Sequence, residues 1–178
     1  MIASNATLRP ILYAEDDEND VFLMQRAFDR LGVKNRLRNV SDGKLAVAYL
    51  SGNNPFSDPE ENPLPCLMLL DLNMPGKNGI EILQWVRAQP KLAGLPVVVL
   101  TSSNQESDIH RTYRLGASGF FIKPGDPDDL HRIAGAIQEY WLAEKRTRTD
   151  FRDIGAFRPA MDEPQKAVIY TLGKPNSL

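Results

Sequence analysis

The stretch CLMLLDLNMPGKNG, residues 66 to 79, decides the fold. It opens with five apolar residues, 66 to 70, and the acid Asp71 follows them directly. A loop containing proline and glycine comes next, and a helical pattern starts at Gly79. A short apolar run that ends in such a loop predicts a strand buried on both faces. Ligands of open α/β sheets bind beyond the carboxyl ends of the strands, so Asp71 stands where such a fold carries its chemistry.

Four more strand patterns surround the central one. They are residues 10 to 14, 36 to 40, 96 to 100 and 119 to 122, the second of which is expected at a sheet edge. A helical pattern follows each strand, with Asp17 or Asn19 as the cap of the first and Pro127 near the start of the last. The last helix is expected to bury Leu130, Ile133, Ile137 and Trp141. Five β-α units predict an α/β fold, a doubly wound parallel sheet with right-handed crossovers.

The composition is that of a soluble globular protein. The chain has 178 residues, of which 42% are hydrophobic and 25% are charged. A net charge of -2 argues against a dedicated nucleic-acid binder. No apolar run approaches the roughly 20 residues that span a bilayer, and no signal peptide is evident. The single cysteine excludes an internal disulfide and a cysteine-rich metal site. We therefore expect a cytoplasmic protein with no membrane or nucleic-acid partner.

The chain divides into one domain and two appendages. Residues 1 to 8 are expected to be a flexible leader, and residues 9 to 143 the domain itself. Residues 144 to 178 form a C-terminal extension, in which 167 to 172 have strand character. One hypothesis is that this extension is an arm that docks on a second copy of the chain by adding a strand to a sheet edge. A disordered tail is the alternative.

Polar side chains stand at the carboxyl ends of four predicted strands. The first strand ends in Glu15 and Asp16, the third in Asp71, the fourth in Thr101 and the fifth in Lys123. A lone acid there would usually be a cap or turn residue. Three neighbouring carboxylates repel one another, however, and a hard cation such as Mg²⁺ relieves that repulsion. A carboxylate nucleophile beside Mg²⁺ and a lysine suits phosphoryl transfer that forms an aspartyl phosphate.

Four motifs at these strand ends resemble the receiver domain of bacterial two-component response regulators. They are ILYAEDD at 11 to 17, LLDLNMP at 69 to 75, VVLTS at 98 to 102 and GFFIKP at 119 to 124. Each motif is weak alone, but all four occur in order and at strand ends. The resemblance covers residues 9 to 142 and implies a CheY-like, flavodoxin-like sheet with strand order 2-1-3-4-5.

The resemblance also implies roles for the polar residues. Asp71 would accept a phosphoryl group from a sensor histidine kinase, and Lys123 would contact the phosphate. Asp16 would bind Mg²⁺ directly, Glu15 would support the ion through water, and the backbone carbonyl of Asn73 would complete the site. The protein would then be a phosphoacceptor, with only self-directed phosphoryl transfer and autodephosphorylation, and not a metabolic enzyme.

A second group of residues is implied to form a conformational switch. Thr101 would move to hydrogen-bond the phosphoryl group, and Phe120 would swing inward behind it. Ser102 is small and leaves room beside the phosphate, and Pro124 is expected to follow a cis peptide bond. The chain departs from the usual pattern at Glu15, where aspartate is common, and at Phe120, where tyrosine is common. Without a hydroxyl, Phe120 can report the switch only through packing.

A narrower resemblance is to single-domain receivers that partner phytochrome-type light-sensing kinases. It rests on the loop at 51 to 65, on Thr101-Ser102-Ser103, and on the sequence YWL at 140 to 142. Such a stand-alone regulator is expected to form a homodimer through the face of its fourth and fifth helices, through the C-terminal arm, or both. Two alternatives stay open: an interaction module that works without phosphorylation, and an aspartate-nucleophile phosphatase. Asn73 disfavours the phosphatase, because such enzymes usually carry an acid two residues after the nucleophile.

Overall fold

The computed structural model describes residues 8–75 and 78–142. Its five strands form one parallel sheet in the order β2-β1-β3-β4-β5, which confirms the predicted topology. The strands are β1 (Ile11–Ala14), β2 (Leu37–Val40), β3 (Leu67–Leu70), β4 (Val97–Thr101) and β5 (Gly119–Ile122). The helices are α1 (Glu18–Arg30), α2 (Gly43–Ser51), α3 (Gly79–Ala88), α4 (Glu106–Arg114) and α5 (Pro127–Ile137).

Side chains that accept backbone hydrogen bonds start most of these helices. Asp17 caps α1, as one of the two predicted possibilities, and Asp42 and Asp126 cap α2 and α5. Asn78 and Glu81 form a reciprocal capping box at the start of α3. Helix α4 differs, because Gln105 at its start makes no capping hydrogen bond through its side chain.

The sheet is buried on both faces, as its apolar strands require. One core lies between the sheet and helices α2 and α3, with Leu12, Met68 and Leu70 on the sheet side. The opposite core lies under α1 and α5, with Tyr13 and Leu69 on the sheet side. The three central strands β1, β3 and β4 are fully buried, whereas the edge strand β2 is partly exposed. This pattern confirms the expectation that the segment at 36 to 40 lies at a sheet edge.

The C-terminal end of the domain differs from the prediction. Helix α5 ends at Ile137, and a π-helical turn follows at Gln138–Leu142. Trp141, expected to be buried, is half-buried: it packs edge-on against Phe121, with ring centroids 6.4 Å apart. Trp141 thus packs against the core on the α1 and α5 side without being fully covered by it. The predicted leader, apart from residue 8, and the predicted arm at 144–178 lie outside the described residues.

The peptide bond before Pro124 is also not as expected. Within residues 8–75 and 78–142, the one cis bond is Asn54–Pro55, and the Lys123–Pro124 bond is trans. The trans form of such a bond is favoured by roughly 0.5–1 kcal/mol, and only specific packing reverses that preference. A separate result concerns membranes: no helix in the described part of the chain is long and apolar enough to cross one.

Candidate functional site

The register of the sheet brings the predicted acids together. Ala14 of β1 pairs with Leu70 of β3, so the residues that follow these strands leave the sheet side by side. Glu15, Asp16 and Asp71 each place one carboxylate oxygen within 4.8 Å of the others. Glu15 and Asp71 are only 1% and 4% exposed, whereas Asp16 faces solvent. The result is an acidic cleft with a buried floor and one accessible acid.

Asp71 is held through both of its carboxylate oxygens. One oxygen accepts a hydrogen bond from the backbone N–H of Asn73 at 3.0 Å. The other accepts one from the ammonium group of Lys123 at 2.7 Å. Each carboxylate oxygen has two lone pairs, so both retain capacity for a further partner. Asp71 is therefore oriented at the bottom of the cleft and still able to react.

Lys123 is shared among three carboxylates. Its ammonium nitrogen lies 2.5 Å from Glu15 and 2.7 Å from both Asp20 and Asp71. An ammonium group has three donors, and these three acids match them in number. Burial alone would lower the pKa of Lys123, but the hydrogen bonds that it donates to Asp20, Asp71 and Glu15 outweigh burial and raise the pKa. Lys123 therefore stays cationic across the physiological pH range.

Glu15 is fixed from three sides. The hydroxyl of Tyr13 donates to it at 3.0 Å, and the backbone N–H of Asp17 donates to its other oxygen at 3.1 Å. The ion pair with Lys123 supplies the third contact. Burial raises the pKa of Glu15, and the ammonium of Lys123 opposes that rise. The unusual glutamate is thus part of a buried network and does not simply reach into solvent.

Asp20 is a site residue that the sequence did not reveal. It lies in the first turn of α1, where acids are common because they suit the helix dipole. Its side chain is 34% exposed and contacts Lys123, which is 103 residues away in the chain. The position of Asp20 at a helix start is enough to explain an acid there, so the sequence gives no sign of a further role. Only the tertiary fold shows its contact with Lys123.

The opposite side of the cleft carries Thr101. Its side chain is fully buried, and its hydroxyl oxygen accepts long hydrogen bonds from the Ser103 N–H at 3.3 Å and the Asn73 side chain at 3.4 Å. Ser102 is exposed beside it. Ser103 in turn donates to Asp108 of helix α4 at 2.7 Å. Thr101 is therefore linked to Asp71 through Asn73 and to α4 through Ser103.

The two remaining predicted switch residues lie on different sides of the sheet. Phe120 is 1% exposed and packs in an apolar cluster with Leu72, Ile80, Val99 and Ile109. Its ring thus occupies the inward position against α4. Pro124 is half-buried and lines a small cavity on the α1 side together with Tyr13, Asp20 and Lys123. The structure does not bring Pro124 to the side of Thr101 and Phe120.

Gly79 supports the floor of the cleft. Its backbone N–H donates to the carbonyl of Leu72 at 3.1 Å, so α3 begins directly against the loop after β3. A methyl group at Gly79 would overlap the carbonyl oxygen of Asp71 and lie 2.7 Å from the Cα of Leu72. Only glycine permits this close approach. The glycine in the motif after β3 therefore serves the position of Asp71.

The donor set suits a hard divalent cation. Glu15, Asp16 and Asp71 offer only oxygen atoms, which Mg²⁺ prefers, and Mg²⁺ commonly keeps several waters when one or two carboxylates bind it. The exposed position of Asp16 leaves room for such waters. The part assigned to the Asn73 carbonyl stays a prediction.

Comparisons with known proteins point to one family. The family model described as "Response regulator receiver domain" matches residues 11–134. The probable methanogenesis regulatory protein FilR2 of Methanothrix harundinacea is 37% identical over 137 residues, which cover 77% of this chain and 86% of that protein. The response regulator Rcp1 of Synechocystis sp. is 35% identical over 132 residues, covering 74% and 88%.

Solved structures give the same picture. The crystal structure of the Mn²⁺-bound form of Rcp1 superposes with a TM-score of 0.70 at 34% identity, covering 78% of this chain and 97% of that one. The phosphorylated cyanobacterial phytochrome response regulator RcpA superposes with a TM-score of 0.71 at 34% identity, covering 76% and 95%. Both relatives are named as response regulators.

Proposed function

This chain belongs to the response regulator receiver domain family, and from that membership we propose that Asp71 accepts a phosphoryl group from a sensor histidine kinase. One observation carries the proposal. The buried carboxylate of Asp71 lies 2.7 Å from the ammonium of Lys123 and within 4.8 Å of the oxygens of Glu15 and Asp16. A nucleophilic carboxylate, a fixed cation and a set of metal ligands thus share one cleft.

The chemistry is a transfer between two nucleophiles. A carboxylate oxygen of Asp71 attacks the phosphorus of the donor phosphohistidine, so an O–P bond forms while the N–P bond breaks. The electron pair of the broken bond stays on the imidazole nitrogen, which then takes a proton. Lys123 neutralises charge on the phosphoryl oxygens. A magnesium ion held by Asp16, Asp71 and the Asn73 carbonyl, with Glu15 through water, would add further charge neutralisation.

Hydrolysis of the aspartyl phosphate returns the protein to its unphosphorylated state. A water molecule attacks the phosphorus, the O–P bond to Asp71 breaks, and the products are inorganic phosphate and the free carboxylate. Because the site carries no second acid beside Asp71 on the Asn73 side, we propose that this step is slow and self-directed. The protein then acts as a timed switch and not as a phosphatase of other molecules.

Thr101 and Phe120 would transmit the change. Phosphorylation adds roughly -1.5 to -2 charges to the site. The hydroxyl of Thr101, which makes only long hydrogen bonds, is free to turn toward the phosphoryl group. Phe120 packs in one cluster with Ile109 of α4, so a shift of Thr101 would change how Phe120 and α4 pack together. Two conformations of the α4 side then differ in their affinity for a partner.

The partners follow from the relatives by analogy. RcpA is named as a phytochrome response regulator, and RtBRR, at 35% identity and a TM-score of 0.65, as a bacteriophytochrome response regulator. We propose a phytochrome-type histidine kinase as the phosphoryl donor, within the cytoplasm and without a nucleic-acid or membrane partner. A homodimer through the α4 and α5 face, through the arm at 144–178, or both is proposed as well. An unchanged oligomeric mass after deletion of residues 150–178 would reject the arm.

Intact-protein mass measurement tests the function. Wild type and Asp71→Asn are incubated with Mg²⁺ and a small acyl-phosphate donor, with and without EDTA. We expect one added phosphate on wild type, and none on Asp71→Asn or in EDTA. No adduct on folded wild type would favour the interaction module that works without phosphate. Turnover of unrelated phosphoesters would favour the aspartate-nucleophile phosphatase, although Asn73 lacks the acid that such an enzyme needs.

A further inference from the structure

We propose that Asp20 is a positioning residue of the phosphoryl-transfer site: it shares Lys123 with Asp71 and so limits how tightly the ammonium group holds a phosphoryl group. This role rests on the proposed function of Asp71. It differs from the roles of the metal-binding acids, because Asp20 is outside the set of Glu15, Asp16 and Asp71 that could hold a cation. Its side chain accepts a hydrogen bond from Lys123.

The geometry gives Asp20 a direct part in the site. One oxygen of Asp20 and one of Asp71 each lie 2.7 Å from the nitrogen of Lys123. The two oxygens therefore cannot be farther apart than twice 2.7 Å. Lys123 is only 10% exposed, so water competes little for its hydrogen bonds. Asp20 is the most exposed of the three acids on this lysine, at 34%, and lies on the first turn of α1.

The charge of Asp20 acts in opposite directions on the two ligands of the cleft. A carboxylate this near attracts a divalent cation and repels a phosphoryl group. The contact with Lys123 works in the same directions, because an ammonium that donates to Asp20 has part of its charge neutralised and one donor fewer for a phosphoryl oxygen. Without Asp20, the ammonium of Lys123 would be neutralised by one carboxylate fewer, so it would oppose the cation more and would bind the phosphoryl group more tightly.

Asp20→Asn tests this with two affinities. Calorimetric titration gives the affinity for Mg²⁺ alone, and a second titration at saturating Mg²⁺ gives the affinity for beryllium fluoride, a phosphoryl analogue. We expect the variant to bind Mg²⁺ about threefold to tenfold more weakly and beryllium fluoride about threefold to tenfold more tightly. Asp20→Glu, which keeps the charge, should restore both affinities to within about twofold of wild type.

Glu18→Gln is the matched control. Glu18 is an exposed acid on the same turn of α1, so this variant removes an equal charge away from Lys123. We expect both of its affinities to stay within about twofold of wild type. A Glu18→Gln effect equal to that of Asp20→Asn would reduce the role of Asp20 to general charge and overturn the proposal.

The outcomes separate this inference from the proposed function. If wild type takes phosphate on Asp71 and Asp20→Asn binds both ligands as wild type does, the function stands and the role of Asp20 falls. If Asp20→Asn weakens both ligands together, the residue is structural, and the proposal is again wrong. If wild type accepts neither phosphate nor beryllium fluoride at Asp71, the function fails and the role of Asp20 fails with it.

Discussion

The two flanks of Asp71 are held by contacts of very different strength. On the α1 flank, formed by Glu15, Asp20 and Lys123, the ion pairs measure 2.5 to 2.7 Å. On the α4 flank, formed by Thr101, Ser103 and Phe120, the hydrogen bonds to the Thr101 hydroxyl measure 3.3 and 3.4 Å. Charge-assisted hydrogen bonds are both shorter and stronger than neutral ones. Short ion pairs therefore join the α1 flank to Asp71, whereas the α4 flank is joined to the loop after Asp71 through the long hydrogen bonds of Thr101. The short bond from Ser103 to Asp108 lies within the α4 flank.

The helices that border the flanks repeat this difference. Helix α1 begins with Asp17, whose side chain accepts from the Asn19 N–H at 2.8 Å. Helix α4 begins at Gln105, whose side chain makes no capping bond. Helices without caps lose roughly 0.5–2 kcal/mol of stability at that end. Rearranging the α4 flank should therefore cost less free energy than rearranging α1. A change of charge at Asp71 should move the α4 flank and leave α1 in place.

The largest effect is expected from removing the ammonium group of Lys123. Lys123→Met leaves Glu15 and Asp71 buried without their cation, and breaking such a buried pair costs about 3–5 kcal/mol. We expect the free energy of unfolding in urea, measured with EDTA, to fall by about that amount. Added Mg²⁺ should recover part of the loss, since it neutralises the same carboxylates.

Arg132→Met is the control for this prediction. Arg132 forms an ion pair with Asp129, but its side chain is 60% exposed. Exposed pairs contribute only about 0–1 kcal/mol. An equal loss of stability in Lys123→Met and Arg132→Met would mean that the buried ion pairs of the α1 flank contribute no more than an exposed pair.

A second effect should reach both flanks at once. Gly79→Ala places a methyl group against the carbonyl of Asp71 and the Cα of Leu72, so α3 must move away from the floor of the cleft. Overpacking of this kind costs about 1–3 kcal/mol, and phosphate uptake should fall with it. Thermal unfolding and intact mass measure the two quantities.

Gly135→Ala provides the comparison for that variant. Gly135 lies in α5, and a methyl group there would meet nothing within 4 Å. Alanine is a better helix former than glycine by about 1 kcal/mol, so Gly135→Ala should be stabilising and should take phosphate as wild type does. A destabilised Gly135→Ala would mean that the loss of stability in Gly79→Ala does not report the close approach to Asp71.

A smaller change in stability, but a specific change in response, is expected at Thr101. Thr101→Val removes a hydroxyl that accepts only long bonds, so it should cost about 1 kcal/mol. The variant should still take phosphate on Asp71, yet hydrogen exchange in α4 should no longer respond to it. Thr112→Val is the control, because Thr112 is equally buried and its hydroxyl bonds only within α4. A normal α4 response in Thr101→Val would remove Thr101 from the switch.

The smallest effect is expected at the other end of β3, which serves as a fixed reference. Burial raises the pKa of the Cys66 thiol. The thiol of the unfolded chain ionises near pH 8.5, so Cys66 favours the folded state below that pH, and this contribution is lost as the pH rises above it. We expect alkylation at pH 8 to be at least about tenfold slower in folded than in urea-unfolded protein. A rate that changes with phosphoryl analogue would mean that the switch reaches beyond the flanks.

Much of this arrangement could be predicted from sequence, for a physical reason. Buried parallel strands are short apolar runs, and the residue after each run must lie at the same edge of the sheet. That rule predicts that Glu15, Asp16, Asp71 and Lys123 lie together. Thr101 joins them through Asn73, also at a strand end.

The parts that sequence could not supply depend on tertiary contacts. Asp20 looks like an ordinary acid of a helix start, and only the fold brings it to Lys123. The π-helical turn that leaves Trp141 half-buried continues an unbroken helical pattern in the sequence. The expected cis bond before Pro124 was wrong, because nothing in the local sequence decides between two forms of nearly equal energy.

Hydrogen exchange with and without beryllium fluoride, at saturating Mg²⁺, tests the central claim that the α4 flank carries the response. We predict that protection changes most in the segments from Thr101 to Ile122, including α4 and β5, while α1 (Glu18–Arg30) stays unchanged. A response that is largest in α1, or equal on the two flanks, would contradict this account, because it would show that the helix joined to Lys123 through Asp20 rearranges as readily as the helix next to Thr101.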